Sequence, residues 1–154
     1  MSAHASNPSE PDLATLNARL QDNPRDADAL ERRGRLALRQ GQLAAACDDL
    51  TQALEVEPER LTALRARAEA YRRQRRYPEA LADFDRLLHL APENAAYLRD
   101  RGAVRAQMGD ATAALQDFSA ALQLNPGDLD CAFFRGNALS DVGRLDEAVA
   151  AFTA

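Results

Sequence analysis

The chain has 154 residues, a formal net charge of −5 at pH 7 and 46% hydrophobic residues, of which few are aromatic. This apolar content is enough for a folded core, and the length predicts one domain. The negative charge argues against a general binder of nucleic acids or anionic membranes. Every one of the 19 basic residues is arginine, which we interpret as the coding bias of a GC-rich bacterial genome.

The first residues, 1–10, are rich in Ser, Ala, Asn and Pro and predict a disordered tail. They lack the basic start and apolar run of a secretion signal, and no stretch of the chain approaches the length of a transmembrane helix. Cys47 and Cys131 form no CxxC motif, which favours two free thiols in a reducing compartment. These features predict a cytoplasmic protein.

The predicted single domain covers residues 11–154, and its first element is a helix over residues 11–24. Pro11 suits the first turn of this helix, while Leu13, Leu16 and Leu20 share one face. We expect this helix to cover the apolar face of the unit that follows it.

From this point the sequence repeats with a period of 34 residues. The repeated columns are Pro24, Pro58, Pro92 and Pro126; Arg33, Arg67, Arg101 and Arg135; Gly34, Ala68, Gly102 and Gly136; Ala46, Ala80, Ala114 and Ala148; and Leu50, Phe84, Phe118 and Phe152. A fixed period of this length is typical of stacked repeats. It predicts three full units over residues 27–60, 61–94 and 95–128, and an incomplete fourth unit over residues 129–154.

Each unit predicts a first helix, a tight turn and a second helix. The turn falls at Gly41, Arg75 or Gly109, where a left-handed backbone is easy for glycine and costly for arginine. Asn94 and Asp128 are expected to cap first helices. The small residues of the columns lie where the two helices cross, so a large side chain there should disrupt the core.

This pattern resembles the tetratricopeptide repeat (TPR): a small residue at unit position 8, Ala at 20, a large apolar residue at 24 and Pro at 32. The resemblance covers residues 27–154. It implies an all-α fold, a right-handed superhelix (α-solenoid) of antiparallel helix pairs, with about three and a half repeats after an N-terminal single helix. The aromatic residue that the family often has at position 4 is replaced by Leu30, Leu64, Leu98 and Ala132.

An arginine column at unit position 7 accompanies an aspartate column at position 23. On two antiparallel helices these positions can face each other, which predicts structural ion pairs. The predicted partners are Arg33 with Asp49, Arg67 with Asp83, and Arg101 with Asp117. In the fourth unit Ala151 occupies the aspartate position, so we hypothesise that Arg135 is freer to bind another group.

The resemblance also implies that the first helices line a concave groove that binds peptides. The groove residues that it implies here are Arg32, Arg35, Arg39, Arg65, Arg72, Arg73, Arg99, Phe133, Phe134 and Asn137. The excess of arginine in the first two repeats predicts a partner protein or an acidic peptide. A merely solvated helical face is the alternative interpretation. The family's carboxylate clamp is absent, because Glu31, Ala66 and Ala96 stand where it needs Lys, Asn and Lys.

Phe133 and Phe134 are consecutive, so both cannot point into the same core, and at least one is expected to be exposed. A peptide anchor, self-association and packing against a further helix all stay open.

The incomplete fourth unit leaves Leu145, Val149 and Phe152 partly uncovered, which predicts self-association and a possible homo-oligomer, or a TPR fragment of a larger enzyme or regulator. Catalysis has little support, because His4 lies in the tail, His89 flanks a second helix, and no spacing suits a metal. We therefore expect no enzyme and no cofactor. The sequence predicts a protein–protein interaction module that serves as an adaptor or scaffold.

Overall fold

A computed structural model describes residues 12–153, and the side chains of residues 12–151. The predicted tail over residues 1–10, Pro11 and the side chain of Phe152 lie outside the described residues.

The described residues form α-helices joined by short connections, with no strand among them. The helices are α1 (Leu13–Asp22), α2 (Ala27–Arg39), α3 (Leu43–Val56), α4 (Leu61–Arg73), α5 (Tyr77–Leu90), α6 (Ala95–Gln107), α7 (Ala111–Leu124), α8 (Leu129–Asp141) and α9 (Leu145–Thr153). The fold class predicted from the sequence, an all-α helical repeat, is confirmed.

Short polar side chains fix the starts of the first helices. Asn94 accepts a hydrogen bond from the backbone N–H of Tyr97 at 3.2 Å, and Asp128 accepts one from Cys131 at 2.9 Å. Each cap satisfies a backbone donor that has no partner within the first turn of its helix. Both predicted caps are confirmed.

The tight turns between paired helices use the left-handed backbone conformation. Gly41, Gly109 and Gly143 have φ angles of 75°, 85° and 80°, and Arg75 has a φ of 60°. Arg75 is the one non-glycine residue with a positive φ among the residues that the structure describes. The second repeat therefore makes the same turn as its neighbours at some steric cost.

Contacts between the described residues divide the chain into two compact units, one that ends at Ala66 and one that begins at Arg67. In the first unit, α1 places Leu16 and Leu20 in one buried cluster with Ala29 and Leu30 of α2 and Ala53 of α3. The N-terminal helix thus covers apolar surface of the helix pair that follows it.

The core of the second unit is built around Phe118. This ring forms a buried cluster with Ala114, Ala121, Cys131 and Ala138. The helix crossing is close because α6 carries Gly102 here: a Cβ atom at this position would lie 2.7 Å from Phe118 Cε1. That distance is shorter than van der Waals contact, so a larger residue at this position would force Phe118 to shift.

We expect Gly102→Leu to destabilise the chain by about 1–3 kcal/mol, because the added side chain must displace the buried Phe118 ring. Gln107→Leu, at an exposed position on the same helix, is the control and should change stability little. Urea unfolding followed by circular dichroism measures both variants. Equal unfolding midpoints for the two would contradict the close crossing of α6 and α7.

Candidate functional site

In three helix pairs, an arginine of the first helix donates two hydrogen bonds to an aspartate of the second helix. The pairs are Arg33–Asp49, Arg67–Asp83 and Arg101–Asp117, with N–O distances between 2.7 and 3.0 Å. The aspartates are buried. Each pair thus joins two helices through a bidentate contact between opposite charges, and we expect it to stabilise their packing.

Two of these arginines also reach the helix that precedes their own pair. Arg33 Nη1 donates to Asn17 Oδ1 at 3.0 Å, and Arg101 Nη1 donates to Asp85 Oδ1 at 2.7 Å. In both cases the acceptor stands 16 residues before the arginine, and the paired aspartate stands 16 residues after it.

The arginines predicted for the groove in the first unit are exposed and lie on α2 and α4. Arg32 Nε donates to Asp28 at 2.9 Å, and Arg35 Nη1 donates to Glu31 at 3.2 Å. Arg39 and Arg65 are exposed and also take part in interactions. A partner's carboxylates would therefore compete with carboxylates of the chain itself for Arg32 and Arg35.

Glu31 has a role that sequence reasoning missed. Its side chain is almost fully buried and accepts hydrogen bonds from Arg60 Nε and from Thr62 Oγ1, the latter at 2.9 Å. Arg60 also donates to Glu57 at 2.8 Å. Asn94 and Asp128 occupy the unit position of Arg60 in later repeats, so the repeat pattern does not single out Arg60 as a partner of Glu31. Glu31 is a structural group and not an accessible groove carboxylate.

Hydrogen bonding governs the ionisation of Glu31. Burial alone would raise the pKa of this carboxyl, but hydrogen bonds from Arg60 and Thr62 outweigh burial and hold the pKa below its ordinary value. The ionised form of Glu31 therefore stabilises the folded state at neutral pH.

In the second unit, Arg72 and Arg73 share one carboxylate. Both Nε atoms donate to Glu69 at 2.7 Å. Arg99 Nη1 donates to Asp128 at 2.9 Å, and Arg99 Nη2 donates to Asp100 at 3.1 Å. With two guanidinium groups on one carboxylate, the end of α4 keeps a surplus of positive charge.

An exposed aromatic pair lies on α8. The side chain of Phe133 is 55% exposed and that of Phe134 is 39% exposed, with the ring centroids 6.2 Å apart. Phe134 also packs against buried Phe118, at a centroid distance of 6.0 Å. Asn137, the third residue predicted on this helix, is exposed as well. Exposed aromatic and amide side chains thus share α8, and one of the rings is anchored in the core.

The residues predicted for self-association are exposed where the structure describes them. Leu145 and Val149 of α9 are both more than half exposed, whereas the side chain of Phe152 lies outside the described residues. Self-association itself stays a prediction.

Family profiles of the tetratricopeptide repeat match most of the chain. One profile matches residues 13–55 and 32–95, and a second matches residues 68–136. The chain belongs to the tetratricopeptide repeat family. The family predicted from the sequence is therefore confirmed. Proteins with this helical repeat serve as interaction modules, and this chain belongs to that class.

Several solved TPR structures are similar to this chain. MamA (41-end) from Desulfovibrio magneticus RS-1 is 17% identical, with 92% of this chain and 80% of that chain covered and a TM-score of 0.87. YrrB, described as a TPR protein with an unusual peptide-binding site, is 26% identical over 90% and 71% of the two chains, with a TM-score of 0.76. A TPR protein from Parabacteroides merdae ATCC 43184 is 27% identical over 91% and 56%, with a TM-score of 0.84. No curated protein sequence matches this chain significantly.

The described part of the chain holds no group of three or more His, Cys, Asp or Glu residues arranged to bind a metal ion. Its helices also include none with the length and apolar character needed to cross a membrane. Burial raises the pKa of the Cys131 thiol to about 11, so this cysteine stays protonated at neutral pH and is a poor nucleophile.

We expect Glu31→Gln to lower the free energy of unfolding at pH 7 by about 1–3 kcal/mol, because Arg60 keeps its charge and loses its buried anionic partner. A carboxyl with a depressed pKa contributes stability above its unfolded value of about 4.3 and loses that contribution as the pH falls through the folded value. The difference between the two proteins should therefore shrink below about pH 4.

Urea unfolding at pH 7 and at pH 3 measures this effect, with Glu59→Gln at an exposed position of the same unit as the control. A stability loss that is the same at both pH values would contradict an ionised Glu31.

Proposed function

We propose that this TPR chain is a non-catalytic adaptor or scaffold that binds an acidic segment of another protein. Its apolar anchor is the exposed aromatic pair, Phe133 and Phe134, and Arg72 and Arg73, which belong to the same compact unit, attract the acidic side chains. The exposure of two consecutive phenylalanines on one helix is the observation that carries this proposal.

The aromatic pair is suited to anchor a peptide. Phe134 rests on buried Phe118 at 6.0 Å, so part of the exposed aromatic surface is held in place by the core. A fixed ring loses little conformational freedom on binding, and aromatic side chains are enriched among the residues that dominate binding energy. An aliphatic or aromatic side chain of a partner would remove this apolar surface from water.

The arginines favour an acidic partner through charge and not through unoccupied hydrogen-bond donors. Arg72 and Arg73 share Glu69, so an incoming carboxylate meets more positive than negative charge at the end of α4. Such charge mainly speeds association and selects the partner, and it is screened by salt. An acidic protein that collects arginines on particular helices attracts acidic segments without losing its net negative charge.

The likeness to YrrB supports peptide binding as the mode of recognition. YrrB is described as having an unusual peptide-binding site. That site belongs to YrrB, and the residues named here rest on the geometry of this chain alone.

Fluorescence anisotropy with a labelled peptide of alternating Asp, Phe and Leu residues tests the proposal. We expect Phe133→Ala to weaken binding about tenfold or more, because the ring supplies the apolar anchor. Leu129→Ala is the matched control: Leu129 is 82% exposed on the same helix and should be dispensable. Equal affinities of these two variants would contradict an aromatic anchor.

The charge requirement is tested with the same probe. Arg73→Glu should weaken binding and reduce its salt dependence, whereas Arg86→Glu on the second helix of that pair should not. A peptide with Lys in place of Asp should bind more weakly than the acidic one. Equal binding of the acidic and basic peptides would contradict a preference for acidic partners, while the aromatic anchor would stand.

A second candidate function is self-association into a homo-oligomer through α9. The observation that favours it is the exposure of Leu145 and Val149 on one face of that helix. Static light scattering over a concentration series should then show a mass that rises with concentration, and less so in a Val149→Glu variant. A constant monomer mass would exclude this function. The cytoplasmic location and the bacterial origin stay predictions.

A further inference from the structure

Arg135 of α8 occupies the position that Arg33, Arg67 and Arg101 occupy in the earlier repeats, but it has no paired aspartate. The residue 16 positions after it is Ala151, where the other repeats have Asp49, Asp83 and Asp117. Alanine offers no acceptor, so the arginine lacks the carboxylate that its counterparts bind.

The Nε atom of Arg135 corresponds to one of the two arginine atoms that bind the aspartate in the other repeats. Nε donates to an aspartate Oδ2 at 2.7 Å in Arg33, 2.8 Å in Arg67 and 3.0 Å in Arg101. Nε of Arg135 is buried and, within the described part of the chain, has no hydrogen-bond partner. Burying an N–H donor without a hydrogen-bond partner costs free energy, so an acceptor that reached this atom would be bound favourably.

A cavity of about 320 Å³ is lined in part by Arg135. It is lined by Ala151 and also by Ser119, which stands 16 residues before Arg135. Positions 16 residues before Arg33 and Arg101 hold Asn17 and Asp85, which accept hydrogen bonds from those arginines. The cavity is therefore bounded by the two positions that supply acceptors elsewhere.

The charges around the cavity favour one anion. Arg144 and Glu147 also line it, and Arg144 donates to both carboxylate oxygens of Glu147 at 2.7 and 2.6 Å. Because Arg144 and Glu147 neutralise each other, Arg135 gives the residues that line the cavity one net positive charge. A single carboxylate balances that charge, and its planar geometry matches the fork of a guanidinium group.

From these observations we infer that the cavity beside Arg135 is a carboxylate-binding site. Arg135 donates to both oxygens of the bound group, and the hydroxyl of Ser119 offers a further donor. The small side chain of Ala151 leaves space for the carboxylate. The carboxylate comes from a free small anion or from an aspartate, glutamate or chain terminus of a partner. The inference does not depend on the aromatic pair, and each can fail without the other.

The Nε–H signals of the arginines in ¹⁵N-resolved NMR spectra test this site directly. We expect the Arg135 signal to shift in a saturable way during titration with acetate or with the capped peptide Gly-Glu-Gly, while the signals of Arg33, Arg67 and Arg101 stay in place. Equal binding of both probes identifies any free carboxylate as sufficient. Binding of the peptide alone assigns the site to a partner segment.

Ala151→Asp supplies the missing carboxylate within the chain. We expect this variant to weaken binding of either probe about tenfold or more, to raise the melting temperature by about 2–4 °C and to move the Arg135 Nε–H signal without added ligand. Ala151→Asn fills a similar volume without charge and should not raise the melting temperature.

Two results would overturn the inference. The first is an Arg135 signal that neither probe moves, together with a lower melting temperature for Ala151→Asp. The second is an Arg135 signal that acetate leaves unchanged in the unsubstituted chain and that Glu147→Gln alone shifts, since Glu147 would then be the partner of Arg135 in solution. If the cavity binds carboxylates, Glu147→Gln should instead strengthen acetate binding, because it removes a negative charge from the lining.

Discussion

The bidentate arginine–aspartate pair between the two helices of a repeat is the interaction on which the structure depends. A buried aspartate is tolerated only where a cation is positioned to meet it, and a planar guanidinium group meets both oxygens at once. The pair forms because small residues let the helices approach closely, as Gly102 does beside Phe118.

The same pairing decides which arginines are available for function. Arg67 is committed to Asp83, and even the exposed Arg32 and Arg73 have carboxylates of the chain beside them. Counting arginines in the sequence consequently overstates the positive surface that a partner would meet. Among the residues that the structure describes, two features stand out for binding: the exposed aromatic surface of α8 that packs on the core, and Arg135, whose buried Nε atom has no acceptor there.

Much of this fold could be predicted from the sequence, because the determining features are local or strictly periodic. The period of 34 residues, the glycine turns and caps such as Asp128 depend on residues close in the chain, and the ion-pair columns depend on a fixed spacing. The network of Glu31 with Arg60 could not be predicted, because it joins residues outside the repeated columns. Nor could the contact of Phe134 with Phe118, since it depends on how two neighbouring helix pairs pack.

A double-mutant cycle at Arg67 and Asp83 tests the central claim most directly, namely that the paired arginines hold the helices together. The unfolding free energies of Arg67→Ala, Asp83→Ala and the double variant give the coupling energy of the pair. We expect each single change to cost about 3–5 kcal/mol and the double change to cost much less than their sum, because each single change leaves a buried charge uncompensated. Costs that simply add, with a coupling energy near zero, would contradict it.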